Sequence, residues 1–290
     1  MVGKFYKMNQ VLTPIIEVEE LKNLRDSEDL ILVDASYGKN SFELYLAKHL
    51  QGAIFVDLDS QLSEVKEDAA DGGRHPLPSI GNFSKTIGSL GITPESHVVI
   101  YDQANGALAT SRFWWMLKAI GHQKVQVLNG GLAEAEKQNF PTNNEKVQPK
   151  PTSFYPIENW KLPMATMSEV ESVSTNEDYT LIDVRASNRY RGEIEPIDPI
   201  AGHIPGAINI PLSENLDETN LFLPKEELKL KYQNILGETK TENTIIHCGS
   251  GVTACHTLLA LNYAGFEMPK LYVGSWSEWC RNNKAIATAN

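Results

Sequence analysis

Cysteine is scarce in this chain: Cys248, Cys255 and Cys280 are the only three among 290 residues. An odd number with no Cys-x-x-Cys pair excludes a disulfide framework of the kind that staples small secreted domains. His247 and Cys248 adjoin at one place and Cys255 and His256 at another, but zinc clusters use closer paired spacings, so no metal centre is expected. Positive charge is also in short supply. Lys and Arg number 26 against 37 Asp and Glu, a net charge of −11, which argues against a nucleic-acid or anionic-membrane partner because such partners select a basic face. Long hydrophobic runs are missing too. Met1 to Asn9 carries two lysines but no apolar run of signal-peptide length, and no segment approaches a membrane span. A cytoplasmic protein is expected, in a reducing compartment that suits a reactive thiol. The length suffices for two domains of about 130 to 150 residues, each able to bury its own core.

What the chain does have is a pattern that occurs twice. Leu32-Val33-Asp34-Ala35 is answered by Leu181-Ile182-Asp183-Val184, Lys48 to Phe55 by Gly202 to Asn209, and Val98 to Asp102 by Thr244 to Cys248. Gly121 pairs with Gly265, and Leu128-Asn129-Gly130-Gly131 with Tyr272-Val273-Gly274-Ser275, at a nearly constant offset. Such a period means duplication of a whole domain rather than a short solenoid repeat. Within each copy, buried strand patterns alternate with helical ones: a helical pattern around Phe42 to Leu50, a helix from about Phe83 to Leu90, the strand His97 to Tyr101, the helix Ala109 to Ile120. An α/β fold follows, with two tandem domains, each a mainly parallel sheet flanked by helices. The expected boundaries are 10–140 for the first domain, 141–163 for a linker broken by Pro141, Pro149, Pro151, Pro156 and Pro163, and 164–290 for the second. Ser63 to Pro78, rich in Asp, Gly and Pro, is a long loop, and loops of that length are often functional.

Function points to Thr244 to Cys255. An apolar strand ends at Cys248, Gly249-Ser250-Gly251 turns the chain, and a helical pattern begins after Val252 and Thr253. A bare Cys after a strand reads better as an inert core thiol. The glycines favour the other reading: they place the sulfur in a cup of backbone N–H groups at a helix N-terminus, where an anion, and so a nucleophilic thiolate, is stabilised. Asp102 stands at the equivalent place in the first domain. A carboxylate cannot act as a sulfur nucleophile, so the first domain is expected to be catalytically silent and to serve as a wall of the site.

Cys248-Gly249-Ser250-Gly251-Val252-Thr253 resembles the active-site loop of the 3-mercaptopyruvate sulfurtransferases, in the two-domain rhodanese family, and the resemblance extends over nearly the whole chain. Thiosulfate-using rhodaneses more typically have Arg after the Cys and Lys two residues after it, where this chain has Gly249 and Ser250. The resemblance implies transfer of a sulfane sulfur from 3-mercaptopyruvate through a Cys248 persulfide to a thiol acceptor such as thioredoxin or a small thiol, at a site between the domains, with no cofactor. It also implies that Ser250 works with Asp59 and His75 in an arrangement like a serine-protease triad, and that Arg189 holds the donor's carboxylate, with Gly249, Gly251, Val252 and Thr253 lining the cradle. Read by themselves, Asp59 is equally a turn or N-cap residue, and His75 a solvated loop residue. Arg185 reads as a structural ion-pair partner. The family's second substrate arginine has no match. Its place falls in the acidic stretch Ile194 to Pro199, which leaves Arg191 or Arg74 as substitutes.

Three rival functions remain. Thiosulfate sulfurtransferase is the nearest. A rhodanese-fold phosphatase needs an Arg where Ala254 stands, and a noncatalytic binding module suits only a domain that has lost its Cys. A histidine of near-neutral pKa is expected at position 75, as general acid for the enolate that leaves mercaptopyruvate.

Overall fold

The computed structural model describes residues 12–288 apart from 104, 108 and 153; the expected start of the first domain at residue 10 lies outside them. Each half of the chain builds a five-stranded, all-parallel sheet. In the first, the strands run in the order Ile54–Phe55, Leu30–Asp34, His97–Tyr101, Val125–Leu128, Ile15–Ile16. In the second the order is Ile208–Asn209, Thr180–Asp183, Thr244–His247, Lys270–Tyr272, Met164–Ala165. The two orders are the same, so the repeat seen in the sequence is a repeat of topology.

Central strands such as Leu30–Asp34 and Thr244–His247 carry β-branched and aliphatic residues because both faces of a helix-covered parallel sheet are buried. Asp102 and Cys248 each follow the middle strand of their sheet, at its carboxyl end, where open α/β sheets bind ligands.

The domains meet through the helices Ala109–Ala119 and Ala254–Tyr263, which pack on one another. Both are buried nearly all round, which is why neither shows a narrow apolar stripe. Phe113, Trp115 and Leu117 join Leu258, Leu259 and Leu261 in a single core that spans the two domains and includes Cys248.

One local expectation changes. The helical pattern placed around Phe42 to Leu50 ends early: Ser41–Ala47 is helical, and His49–Leu50 is a strand paired antiparallel with Thr142–Asn143. That partner comes from the expected linker, so the pairing is non-local and no local periodicity encodes it. The linker is accordingly laid down on the first domain, and Trp160 packs its ring against Phe83 and Trp115 at 5.2 and 6.3 Å. Among the described residues no helix is long and apolar enough to cross a membrane.

Candidate active site

Cys248 leaves the buried strand Thr244–His247 and is itself buried. Its position is set by the chain that follows the next strand. The Cys248 N–H donates to Ser275 Oγ at 3.2 Å, Ser275 donates to the Tyr272 carbonyl at 2.8 Å, and the N–H groups of Trp276 and Ser277 donate to the carbonyls of Cys248 and Gly249 at 3.0 and 2.8 Å. Gly251 sits at φ +71°, and a Cβ there would lie 2.4 Å from the Val273 carbonyl oxygen, so both its backbone conformation and its surroundings require glycine. With the carbonyls of Cys248 and Gly249 engaged, the N–H groups of Gly249 through Thr253 have no protein acceptor among the described residues. They form a row of donors suited to an anion. Val252 is buried and Thr253 half-buried at the start of the following helix.

The first domain supplies a hydrogen-bond chain to this loop. His75 Nδ1 stands 2.7 Å from Ser250 Oγ, and His75 Nε2 stands 3.2 Å from Asp59 Oδ1. Asp57, not Asp59, caps the short helix Leu58–Gln61 by accepting from the Ser60 N–H at 2.8 Å, which leaves the Asp59 carboxylate for His75. A carboxylate only accepts, so the ring proton belongs on Nε2, and Nδ1 accepts from the serine hydroxyl. Burial, together with the positive charges of Arg74 and Arg112, pushes His75 down to about 4. The near-neutral value expected from the sequence is therefore corrected: the imidazole rests neutral, a base rather than an acid. Partial burial and neighbouring Asp57 raise the Asp59 pKa. A cavity of about 490 Å³ lined by Tyr37, Asp59, Val65, Lys66, Arg74 and His75 opens over this relay.

Two guanidinium groups stand over Gly249. A Cβ on that residue would lie 3.0 Å from Arg74 Nη2 and 3.6 Å from both terminal nitrogens of Arg189. Arg189 is held by Glu195 through a 2.6 Å and a 3.2 Å contact, and Arg74 by Asp198 at 3.1 Å. The acidic stretch that displaced the family's second arginine thus supplies carboxylates that orient these two guanidinium groups. Asp198 also binds Arg281 at 2.8 Å, and Arg185 spans Asp183 and Glu195 as a buried ion-pair partner. Arg191 is placed elsewhere, half-exposed and paired with Glu193 at 2.7 Å.

The remaining candidates separate cleanly. Burial pushes the Cys255 thiol up to about 12, and its Sγ–H donates to the Gly251 carbonyl at 3.4 Å. Cys280 is also shifted upward by burial. In the first domain the Asp102 carboxylate accepts from the Gly106 N–H at 2.9 Å, so that loop is occupied by its own side chain. Ala254, where a phosphatase would need its arginine, is a buried first residue of the helix.

One residue at the site went unread in the sequence. Arg112, fully buried in the first-domain helix, donates from Nη1 to the Gly251 carbonyl at 3.2 Å and from Nη2 to the His75 carbonyl at 3.1 Å. The available signal was a charge set among Phe113, Trp114, Trp115 and Met116, inside a helix whose neighbours are apolar.

The profile of the rhodanese-like domain matches this chain twice, over residues 17–138 and 166–282. The chain belongs to the rhodanese family. It is a two-domain rhodanese and a sulfurtransferase, similar to proteins of that activity along most of its length. A probable 3-mercaptopyruvate sulfurtransferase of Pseudomonas aeruginosa is 38% identical over 261 residues, covering 89% of this chain and 90% of that protein. The 3-mercaptopyruvate sulfurtransferase of Homo sapiens is 36% identical over 275 residues, covering 90% and 88%. Among solved structures, the 3-mercaptopyruvate sulfurtransferase SseA of Escherichia coli superposes with a TM-score of 0.77 at 28% identity, over 92% of this chain and all of that one (100%).

Proposed function

We propose that this rhodanese takes sulfur from 3-mercaptopyruvate, holds it as a persulfide on Cys248 and passes it to a thiol acceptor, thioredoxin or a small thiol, in the cytoplasm. The observation that carries the reading is the Ser250–His75–Asp59 chain, with links of 2.7 and 3.2 Å, meeting a loop that has a hydroxyl where thiosulfate enzymes more typically have a lysine.

The Cys248 thiolate attacks the donor's sulfur. The donor's C–S bond breaks, its electron pair leaves as the enolate of pyruvate, and the sulfur remains on Cys248. The enolate carbon needs one proton, and the donor's own thiol has one to give. A neutral His75 is suited to move it: through Ser250 it takes the proton as a base, is steadied as imidazolium by Asp59, and returns the proton to carbon as an acid. The products of this half-reaction are pyruvate and a Cys248 persulfide anion. An acceptor thiol then protonates and removes the outer sulfur as its own persulfide, which restores the Cys248 thiolate.

Charge supports the same donor. Arg74 and Arg189 are placed to receive a carboxylate, and planar forks suit that contact. Initial rates with mercaptopyruvate and with thiosulfate on one preparation test the reading: a higher kcat/KM for mercaptopyruvate is expected, and a clear preference for thiosulfate overturns it.

A further inference from the structure

A single short helix of the second domain touches both halves of the site. Ser277 lies in Ser275–Trp279, the helix whose backbone fixes the Cys248 loop, and is fully buried. Its N–H donates to the Gly249 carbonyl at 2.8 Å, while its hydroxyl accepts from the Arg74 N–H at 3.1 Å and donates to the Gly274 carbonyl at 2.9 Å. One residue therefore bonds both the loop that carries the nucleophile and the loop that carries Arg74 and His75.

The neighbours of Ser277 extend the contact. Glu278 accepts from the Gly72 N–H at 3.1 Å, and Asn282 donates to the Ala70 carbonyl at 2.8 Å, so the first-domain loop is held at Ala70, Gly72 and Arg74. Gly73 lies flat against the helix: its φ is +83°, and a Cβ there would lie 2.4 Å from the Gly274 carbonyl oxygen and 2.8 Å from Ser277 Oγ. Only glycine allows that approach. The Arg74 side chain closes a ring back to Ser277. Arg74 Nε donates to Asp198 at 3.1 Å, Asp198 accepts from Arg281 at 2.8 Å, and Arg281 donates to the Ser277 carbonyl at 2.7 Å.

Duplication supplies a control. The Trp276 N–H donates to the Cys248 carbonyl at 3.0 Å and the Leu132 N–H to the Asp102 carbonyl at 3.1 Å, so Trp276 and Leu132 are equivalent. The residue that follows is buried Ser277 in the second domain but Ala133, exposed and without a hydroxyl, in the first. The hydroxyl is present in the copy whose loop must be aligned with a relay from another domain, and absent from the copy that has no nucleophile.

We propose that Ser277 is the positioning residue that sets His75 and Arg74 in register with Cys248 and Ser250, acting through the backbone of the first-domain loop rather than on the substrate. The inference rests on the relay proposed above. A buried N–H that loses its acceptor is costly enough to shift the loop, and a displacement of about 1 Å in a catalytic group can cost about 10²-fold in rate.

The test is kcat with mercaptopyruvate and with thiosulfate for Ser277→Ala and Ser277→Thr, each made in the full-length wild type and in His75→Asn. Ala removes the side-chain acceptor and leaves the backbone bond to Gly249; Thr keeps a hydroxyl. In the wild-type background Ser277→Ala should lower kcat for mercaptopyruvate about tenfold or more and kcat for thiosulfate by less than about threefold, with Ser277→Thr within about threefold of wild type. In His75→Asn the same Ser277→Ala change should cost less than about twofold, because the group it aligns is gone. An equal loss in both backgrounds, or with both donors, overturns the role of Ser277 and leaves the relay standing. A His75→Asn protein as active as wild type overturns the relay, and the proposal with it. If Ser277→Ala does not fold, Asn282→Ala decides, since that half-buried side chain holds the same loop at Ala70. Its kcat for mercaptopyruvate should fall about threefold or more when His75 is present and stay level in His75→Asn; an unchanged kcat overturns the proposal.

Discussion

His75 Nδ1 and the Ser250 hydroxyl lie 2.7 Å apart although the residues are 175 positions apart in sequence and belong to different domains. The first domain has no nucleophile on its own loop, yet it sends His75, Asp59, Arg74 and Arg112 to the loop of the second. Duplication followed by division of labour accounts for why both domains are retained in one chain with a shared core.

Removing the relay should separate the two donors. Ser250→Ala and His75→Asn are expected to lower kcat for mercaptopyruvate by about 10²-fold or more, the usual scale of general acid–base assistance. Thiosulfate turnover should fall less, because sulfite leaves without needing a proton on carbon. Parallel assays with both donors check this. Equal losses would show that Ser250 and His75 only shape the loop.

The three cysteines should behave differently. Cys248→Ser is expected to abolish turnover and the added sulfur that mass spectrometry detects after donor treatment, while Cys255→Ser keeps most activity, since its thiol is held protonated in the core. Sulfur found on Cys255 or Cys280 in the wild type would move the nucleophile.

The arginines should also divide. Arg189→Ala and Arg74→Ala each remove a charged contact worth about 2 kcal/mol, so KM for mercaptopyruvate should rise roughly thirtyfold in either variant. Arg191→Ala, whose guanidinium faces Glu193 at the surface, should leave KM near that of wild type. Steady-state kinetics of the three variants decide which guanidinium groups bind donor; a rise confined to Arg191→Ala would put the carboxylate site elsewhere.

Acid should destabilise the fold partly through His75. Its pKa is about 4 in the folded protein and about 6.5 when unfolded. Above pH 6.5 the residue is neutral in both states and contributes no pH dependence. As pH falls from 6.5 towards 4 the unfolded chain binds a proton that the native state does not, so stability declines, by at most about 3 kcal/mol, and levels off below 4. Urea denaturation of wild type and His75→Gln at pH 7 and pH 5 reads this directly: the variant should lose less stability on acidification. His122 and His256, likewise depressed by burial, contribute to the same decline in both proteins.

The sequence by itself determined the architecture and singled out the glycine loop after Cys248. Strands such as Leu30–Asp34 and Thr244–His247 are short aliphatic runs that no amphipathic helix accommodates, and the twofold recurrence of the Leu-x-Asp and Gly-Ala-Ile signals imposed the same topology on both halves. Cys248 followed by glycines, opposite Asp102, was legible because loop chemistry is local. Asp59 and His75 were legible only through family resemblance, since nothing in their own neighbourhoods distinguishes them from a turn residue and a solvated histidine. Tertiary structure alone decided the rest. Whether Arg74 or Arg191 reaches Gly249, whether Glu195 and Asp198 hinder or orient the arginines, how far His75 is depressed, and that Arg112 meets Gly251 all depend on charges and burial brought by segments distant in the chain. Electrostatic energies are set by distance and solvent exclusion in space, and a one-dimensional pattern contains neither until the two domains close on one another.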